Sequence, residues 1–301
     1  MFKYLFTLLL VSTLSVSCSS KKHETQLKTK NELTVENNDL QEMEVSPILG
    51  IFTERLYEGQ REGLENHRLQ LFGARFNDLD LFLLVPYLQD LENLEIFNFD
   101  IIDISFINSL PNLKYLRFSG NDEIRNISSI SNHSSLEGLY IEDNNNFTDL
   151  SFLSEFQNIK RLYIVSTDID RINYHYFNFS YIEQMQNLVI LDVSMPLQNS
   201  DFTYLKNLNN LSWISICGFD FGDLSPLARL PNLNFLSIIP IGNGQLVGES
   251  GGLNIMPLAA SNSLEAISTF FSSQGSFYSF MENEGKIFEE RGISIYSQDF
   301  R

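Results

Sequence analysis

Four histidines, two cysteines, one glycine-rich run and one acidic-amide cluster are the places where this chain could do chemistry. His23, His67, His133 and His175 lie in separate segments, and none stands at metal-ligand spacing from a cysteine or another histidine. The run Gly242 to Gly252 (GNGQLVGESGG) has the glycine content of a phosphate loop. Such a loop needs lysine after its last glycine. Glu249 stands there and would repel phosphate. Val247 occupies the third glycine position of a dinucleotide fingerprint, so that reading fails as well, and a flexible insertion is expected. Asp143-Asn144-Asn145-Asn146 offers oxygen ligands, but Phe147 and Thr148 follow where a calcium loop needs an oxygen ligand and then glycine. A turn is expected there. A nucleophile–His–acid triad assembles in space and leaves no spacing to read. The chain is expected not to be an enzyme, with no metal and no cofactor.

Charge narrows the partners. Twenty basic residues against 38 acidic ones give a net charge of −18 over 301 residues. A phosphate backbone needs a cationic face, so nucleic acid is excluded as a partner. A polybasic grip on anionic lipid is excluded on the same ground. Two cysteines, Cys18 and Cys217, rule out a disulfide scaffold. Cys217 is expected to be a half-buried apolar residue, with an interchain thiol as the alternative. Asn126, Asn132, Asn146, Asn178 and Asn210 begin Asn-x-Ser/Thr triplets. In a chain this rich in Asn and Ser, chance accounts for them.

The chain divides by composition. Residues 1–17 have one lysine, Lys3, then an apolar run from Tyr4 to Val11, then small residues, as a secretory signal peptide does. The apolar run is shorter than the ~20 residues that span a bilayer. Residues 18–46 are polar and hold no aromatic residue, and they are expected to form a flexible tether of roughly 30 Å r.m.s. span.

From residue 94 a phrase recurs: apolar, two variable, apolar, one variable, apolar. It reads Leu94-Phe97-Phe99, Leu113-Leu116-Phe118, Leu136-Leu139-Ile141, Ile159-Leu162-Ile164, Leu188-Leu191-Val193, Leu211-Ile214-Ile216, Leu233-Leu236-Ile238 and Leu264-Ile267-Thr269, at spacings of 19, 23, 23, 29, 23, 22 and 31. Each phrase is followed by a second apolar set, such as Phe221, Leu224, Leu227 and Leu230. An alternating phrase is a short strand with two side chains inward. The second set is a convex turn or short helix covering it. One unit cannot bury its own apolar side, so stacked units share a core and parallel strands line one concave face.

These phrases resemble the leucine-rich repeat family, and residues 221–233 (FGDLSPLARLPNL) look most like its internalin-type subclass. The resemblance implies an α/β leucine-rich repeat solenoid with a curved parallel sheet and short helices or turns outside it. The expected organisation is an N-terminal cap over 47–92, repeats over 93–270 and a C-terminal cap over 271–301, in which Ser276 to Arg291 is expected to form one helix that buries Phe277, Phe280, Met281, Ile287 and Phe288 and ends at Gly292. The family commonly places a ladder asparagine at the ninth position. Asn121 and Asn144 fit, while Ile102, Thr167, Pro196 and Phe219 depart, and the many phenylalanines are expected to supply an apolar spine instead. The small residues ending at Cys18 resemble the lipobox of bacterial lipoproteins, whose cysteine is lipidated, although Ser15 stands where the family usually has leucine. That resemblance implies a bacterial cell-envelope protein held by a lipid anchor, on the outer membrane, the cell surface or facing the periplasm.

Outward positions carry the functional expectation. The residues two and four after each phrase's first apolar position must point away from the core. One column reads Ile96, Tyr115, Gly138, Arg161, Ile190, Trp213, Phe235 and Ala266. The next reads Asn98, Arg117, Tyr140, Tyr163, Asp192, Ser215, Ser237 and Ser268. Tyr, Trp and Arg are the residue types of binding hot spots, and the single tryptophan falls here. Tyr115, Arg117, Tyr140, Arg161, Tyr163, Ile190, Trp213 and Phe235 are therefore the expected partner-binding residues, with a protein as the expected partner. Self-association as a structural envelope protein and glycan binding are the alternatives. The insertion Asn173–Tyr181, with six rings in nine residues counting histidine, could project as a contact loop or pack inward.

Overall fold

The computed structural model describes residues 68–297 apart from 73–80, 83, 98–100, 122, 125–126, 145–149, 167–177, 199–200, 241–246, 248–252 and 272–273. Residues 1–46, with the expected signal peptide, Cys18 and tether, lie outside the described residues.

Ten described strands form one open sheet in chain order, and every neighbouring pair is parallel. They are β1 (Arg68–Phe72), β2 (Asn93–Phe97), β3 (Tyr115–Ser119), β4 (Gly138–Glu142), β5 (Arg161–Val165), β6 (Ile190–Gln198), β7 (Trp213–Asp220), β8 (Phe235–Pro240), β9 (Ala266–Thr269) and β10 (Ser294–Ser297). Each return as far as β9 crosses the back of the sheet through a short 3-10 turn, as at Ser105–Ser109, Ser151–Glu155 and Phe202–Leu205. The fold is a leucine-rich repeat solenoid.

Burial follows the alternation. In β3 the residues Leu116 and Phe118 are fully buried while Tyr115, Arg117 and Ser119 are half-exposed. The same holds for Leu162 and Ile164 of β5 against Arg161, Tyr163 and Val165. The first repeat departs from its expected register. Leu94 pairs with Leu116 and Ile96 with Phe118, so Ile96 is a core residue, fully buried, and not an outward one. The inward trio is Leu91-Leu94-Ile96, and the outward residues of β2 are Asn93, Glu95 and Phe97. Two apolar trios overlap at Leu94. The earlier one lies one ordinary repeat before Leu113, whereas the later one required a short step of 19.

Asparagines fasten neighbouring turns in two rows. Asn121 and Asn144 are buried. The Asn121 side-chain amide donates to the carbonyls of Ile96 (2.9 Å) and Ser119 (3.0 Å). Asn144 donates to Phe118 (3.1 Å) and Glu142 (2.8 Å), and its Oδ1 accepts the Asn121 N–H at 2.7 Å. Gly120, with φ 64°, supplies the left-handed turn that aims Asn121 into this row. In the two repeats where Pro196 and Phe219 replace the ladder asparagine, the strands run longer. β6 has nine residues and β7 eight, and Pro196 and Leu197 pair with Cys217 and Gly218. Strand pairing there serves the backbone groups that the amide serves elsewhere. With the first phrase beginning at Leu91, its ninth position is residue 99, outside the described residues, so Ile102, 48% exposed, is not a ladder position. The second row is the asparagine that precedes many of the phrases. Asn112, Asn187, Asn210 and Asn232 each donate to a carbonyl of the preceding repeat, at 2.7–3.1 Å.

The phenylalanine spine exists, but on the turn side, and it does not stand in for the missing ladder residues. Phe106, Phe152, Phe179 and Phe202 are buried there, with the rings of Phe179 and Phe202 5.0 Å apart. Asp103, Asp201 and Asp223 fix these turns by accepting the N–H two residues on, at 2.8, 2.9 and 2.8 Å. Phe179 and Tyr181, the described part of the aromatic insertion besides Asn178 and Ser180, also belong to the turn layer and pack on the core. Residues 173–177 lie outside the described residues.

Beyond β9, the expected single helix is two, α1 (Gln274–Glu282) and α2 (Gly285–Glu290). Phe280 and Phe288 are buried, and Phe277 and Met281 pack partly, but Ile287 is exposed because the break at Asn283–Glu284 rotates it outward. Gly292, with φ 74°, ends α2. Its N–H bonds to the Glu289 carbonyl and the Ile293 N–H to that of Phe288, the paired closure of a left-handed cap.

Candidate functional site

The sheet register brings the outward residues into columns about 4.8 Å apart from strand to strand. The first column runs Arg68, Asn93, Tyr115, Gly138, Arg161, Ile190, Trp213, Phe235, Ala266 and Ser294. The second runs Gln70, Glu95, Arg117, Tyr140, Tyr163, Asp192, Ser215, Ser237, Ser268 and Tyr296. Tyr115, Arg117, Tyr140 and Arg161 line one depression of about 450 Å³, with Arg68, Glu92, Asn93 and Glu95 on its far side. Tyr163 borders this group through its ring, which stacks on Tyr140 with centroids 4.3 Å apart and planes 8° apart. Burial pushes the phenols of Tyr140 and Tyr163 up from their usual range, so both stay neutral.

The two arginines differ. Arg117 is held by carboxylates. Its Nε donates to Glu142 at 3.1 Å, its Nη2 also pairs with Glu142, and Glu95 lies 3.9 Å from Nη1. Its guanidinium also sits 5.2 Å over the Phe97 ring. The positive charge expected of Arg117 is thus answered within the protein. Arg161 meets no carboxylate among the described residues. It donates to the hydroxyl of Tyr115, two strands away, and lies 5.2 Å from that ring's centre. Glycine at 138 makes this reach possible. A Cβ there would stand 2.4 Å from Cδ1 of Tyr115. Gly138→Ala is expected to displace the Tyr115 ring and separate it from Arg161 while leaving the melting temperature within about 2 °C, since Tyr115 is half-exposed and can swing away. Side-chain NMR of the Tyr115 ring with thermal melting checks both parts.

Further along the first column, Ile190, Trp213 and Phe235 form an apolar plate. The rings of Trp213 and Phe235 are stacked, 5.8 Å between centroids and 9° between planes. Below the plate, Asp192 is mostly buried and accepts a hydrogen bond from the Ser194 hydroxyl. Burial pushes its carboxyl up to about 6, against the downward pull of hydrogen bonds from Ser194 and Ser215. Cys217, in the next strand, is half-buried, and burial with the nearby Asp192 raises its thiol to about 11, so it is a protonated apolar side chain at neutral pH and a poor nucleophile.

The Asp192 value fixes a sign. The folded chain holds this proton more tightly than the unfolded chain, whose carboxyl titrates near 3.8. Its stabilisation is present below that pH and is lost as pH rises through about 6. About two pH units correspond to roughly 3 kcal/mol. Asp192→Asn is expected to be more stable than the parent at pH 7, with the difference shrinking toward pH 4. Chemical denaturation of both chains across that range checks it.

Other motifs resolve differently. Asn144 serves the ladder, and Asp143 sits in a left-handed turn (φ 49°); Asn145 and Asn146 lie outside the described residues. His133 is buried, and its Nε2 lies 3.0 Å from the carbonyl of Leu110, a structural contact behind the sheet. Among the described residues no group of three or more His, Cys, Asp or Glu could hold a metal ion, and no helix is long and apolar enough to cross a membrane. Most of the glycine-rich run lies outside the described residues, but Val247 is buried and bridges Phe271. Within that run Gly248-Glu249-Ser250-Gly251-Gly252 spells Gly-x-Ser-x-Gly. A nucleophile elbow needs a strand before its serine and a helix after it. Here the described flanks are the single bridge residue Val247 and the 3-10 turn Met256–Ala260.

Glu95, Glu142 and Gly138 are the functional neighbours that sequence reasoning missed. Glu95 was hidden by the register of the first repeat. Glu142 belongs to a third outward column, one residue past inward Ile141. Gly138 stood in the first column without a role, and only the ring beside it gives it one.

No protein-family model and no curated protein matches the chain. Among solved structures it is similar to internalin C2 of Listeria monocytogenes, at 24% identity and a TM-score of 0.47, over 67% of this chain and 80% of that one. A second Listeria monocytogenes internalin, internalin F, gives 24% and 0.46 over 67% and 53%. A leucine-rich repeat protein of Leptospira interrogans gives 18% and 0.44 over 66% and 49%. This chain therefore spans about half the length of the latter two.

Proposed function

We propose that the protein is a non-catalytic recognition module that binds a protein partner on the outward face of its sheet. The observation that carries this reading is the first column. It gathers Tyr115, Arg161, Ile190, Trp213 and Phe235 on five strands, although none of them is needed to close the core. Tyrosine, tryptophan and arginine supply large contact area at low ordering cost. Rigid neighbouring strands hold them in place before any partner arrives, which lowers the entropy lost on binding. We further propose that Cys18 is acylated and that the polar residues 19–46 hold the domain off a bacterial envelope membrane, where adhesion or surface recognition would use this face.

Affinity capture with the full chain as bait, in parallel with its Trp213→Ala form, tests the reading. One or more proteins should be retained by the parent and lost from the variant. Retention of the same set by both would reject the face as the binding surface. Self-association instead predicts a mass that grows with concentration in sedimentation. Lipidation predicts that Cys18→Ala moves the protein from membranes into the soluble fraction.

A further inference from the structure

The outward face carries two features of different chemistry at a fixed distance, and together they describe what kind of segment fits. The first is the guanidinium of Arg161. On this face Arg68 pairs with Glu95, and Arg117 with Glu142 and Glu95, so those charges are met internally. Among the described residues, Arg161 has only the neutral hydroxyl and ring of Tyr115. A guanidinium has five N–H donors and binds a carboxylate best through two of them. The Tyr115 hydroxyl uses Nη1. The site is half-buried and flanked by the stacked, neutral Tyr140 and Tyr163, so a pair formed there is less screened than one on open surface. The second feature is the Ile190–Trp213–Phe235 plate, which begins on the very next strand.

Strand spacing sets the distance between them. Trp213 lies two strands from Arg161 and Phe235 three, or about 10 and 14 Å. An extended peptide rises about 3.3 Å per residue, so those spans take three or four residues. Resting on the recognition reading above, we infer that the partner's docking segment is an extended peptide in which an aspartate or glutamate meets Arg161 and a large apolar side chain three or four residues away lies on Trp213 and Phe235. A carboxylate fits better than a phosphate. One negative charge balances the one guanidinium on this face that meets no carboxylate among the described residues.

Selection of a displayed library of random 12-residue peptides on the full chain tests this. Enriched peptides should share an acidic residue three or four positions from Phe, Trp, Leu or Ile. Arg161→Gln should weaken them at least tenfold, and Trp213→Ala at least as much. Arg161→Glu should recover binding when the peptide's acid is changed to lysine. Peptides that depend on Trp213 yet carry no acid, or that bind more tightly with phosphoserine in the acid's place, would overturn the inference while leaving the face as a recognition surface. Enriched peptides that neither variant weakens would overturn both. If no peptide is enriched, the inference falls and the capture experiment alone decides the recognition reading.

Discussion

Asn144→Ala is expected to lower the stability of the protein by about 3 kcal/mol, the cost of removing the partner of buried backbone groups. The side chain is 9% exposed and makes three hydrogen bonds to main chain in two repeats. Alanine removes the acceptor used by the Asn121 N–H and the donor used by the Phe118 carbonyl. Asn144→Asp is a sharper control. It keeps the shape and the acceptor, but it sets a carboxylate against the two carbonyls to which the amide donated. It should be at least as destabilising as alanine. Denaturant titration of the three chains checks both. Equal stability of Asn144→Asp and the parent would mean that shape, and not the amide's two-way bonding, holds the turn. The effect should also be local at first, since each repeat touches chiefly its neighbours.

The second large effect is on binding. Tyr140→Ala with Trp213→Ala is expected to weaken partner retention by more than 100-fold, as two central aromatic contacts of a hot spot each contribute about 2 kcal/mol or more. Folding stability should fall by less than about 1 kcal/mol, because both rings lie outside the inward set that closes the core. The stack of Tyr140 on Tyr163 sets the size of that small loss. Calorimetric titration with the captured partner and thermal melting of the same samples separate the two quantities. A fall in melting temperature that matches the loss of binding would mark the rings as packing residues that shield strand backbone.

Most of the solenoid was legible because its signal repeats. A side chain such as Leu116 is recognisable as inward from its own position and again from Leu139 and Leu162 in the same register. Where the phrase was ambiguous the reading slipped. Leu94 belongs to two apolar trios, and only the pairing with Leu116 decides between them. The slip moved Ile96 to the wrong face and hid Glu95, and with it one of the acids that answer Arg117. The α1–α2 break was illegible for another reason. No proline marks it, and the heptad-like spacing of Phe277, Phe280, Met281 and Phe288 reads equally well as one helix. The outward columns could be read from strand alternation alone, and the structure places all eight expected binding residues on that face. What alternation cannot supply is how outward side chains meet one another. That Arg117 is neutralised while Arg161 is not depends on Glu142, 25 residues away, and on the missing side chain at Gly138.

The chain has one tryptophan, and it lies in the middle of the Ile190–Trp213–Phe235 plate on the face assigned to recognition. Its fluorescence therefore reports on that face without any label. Acrylamide quenching of the full chain, alone and then saturated with the captured partner, measures the central claim directly. Trp213 should be readily quenched in the free protein and strongly protected in the complex. A tryptophan already shielded in the free protein, or one quenched equally with and without the partner bound, would contradict it.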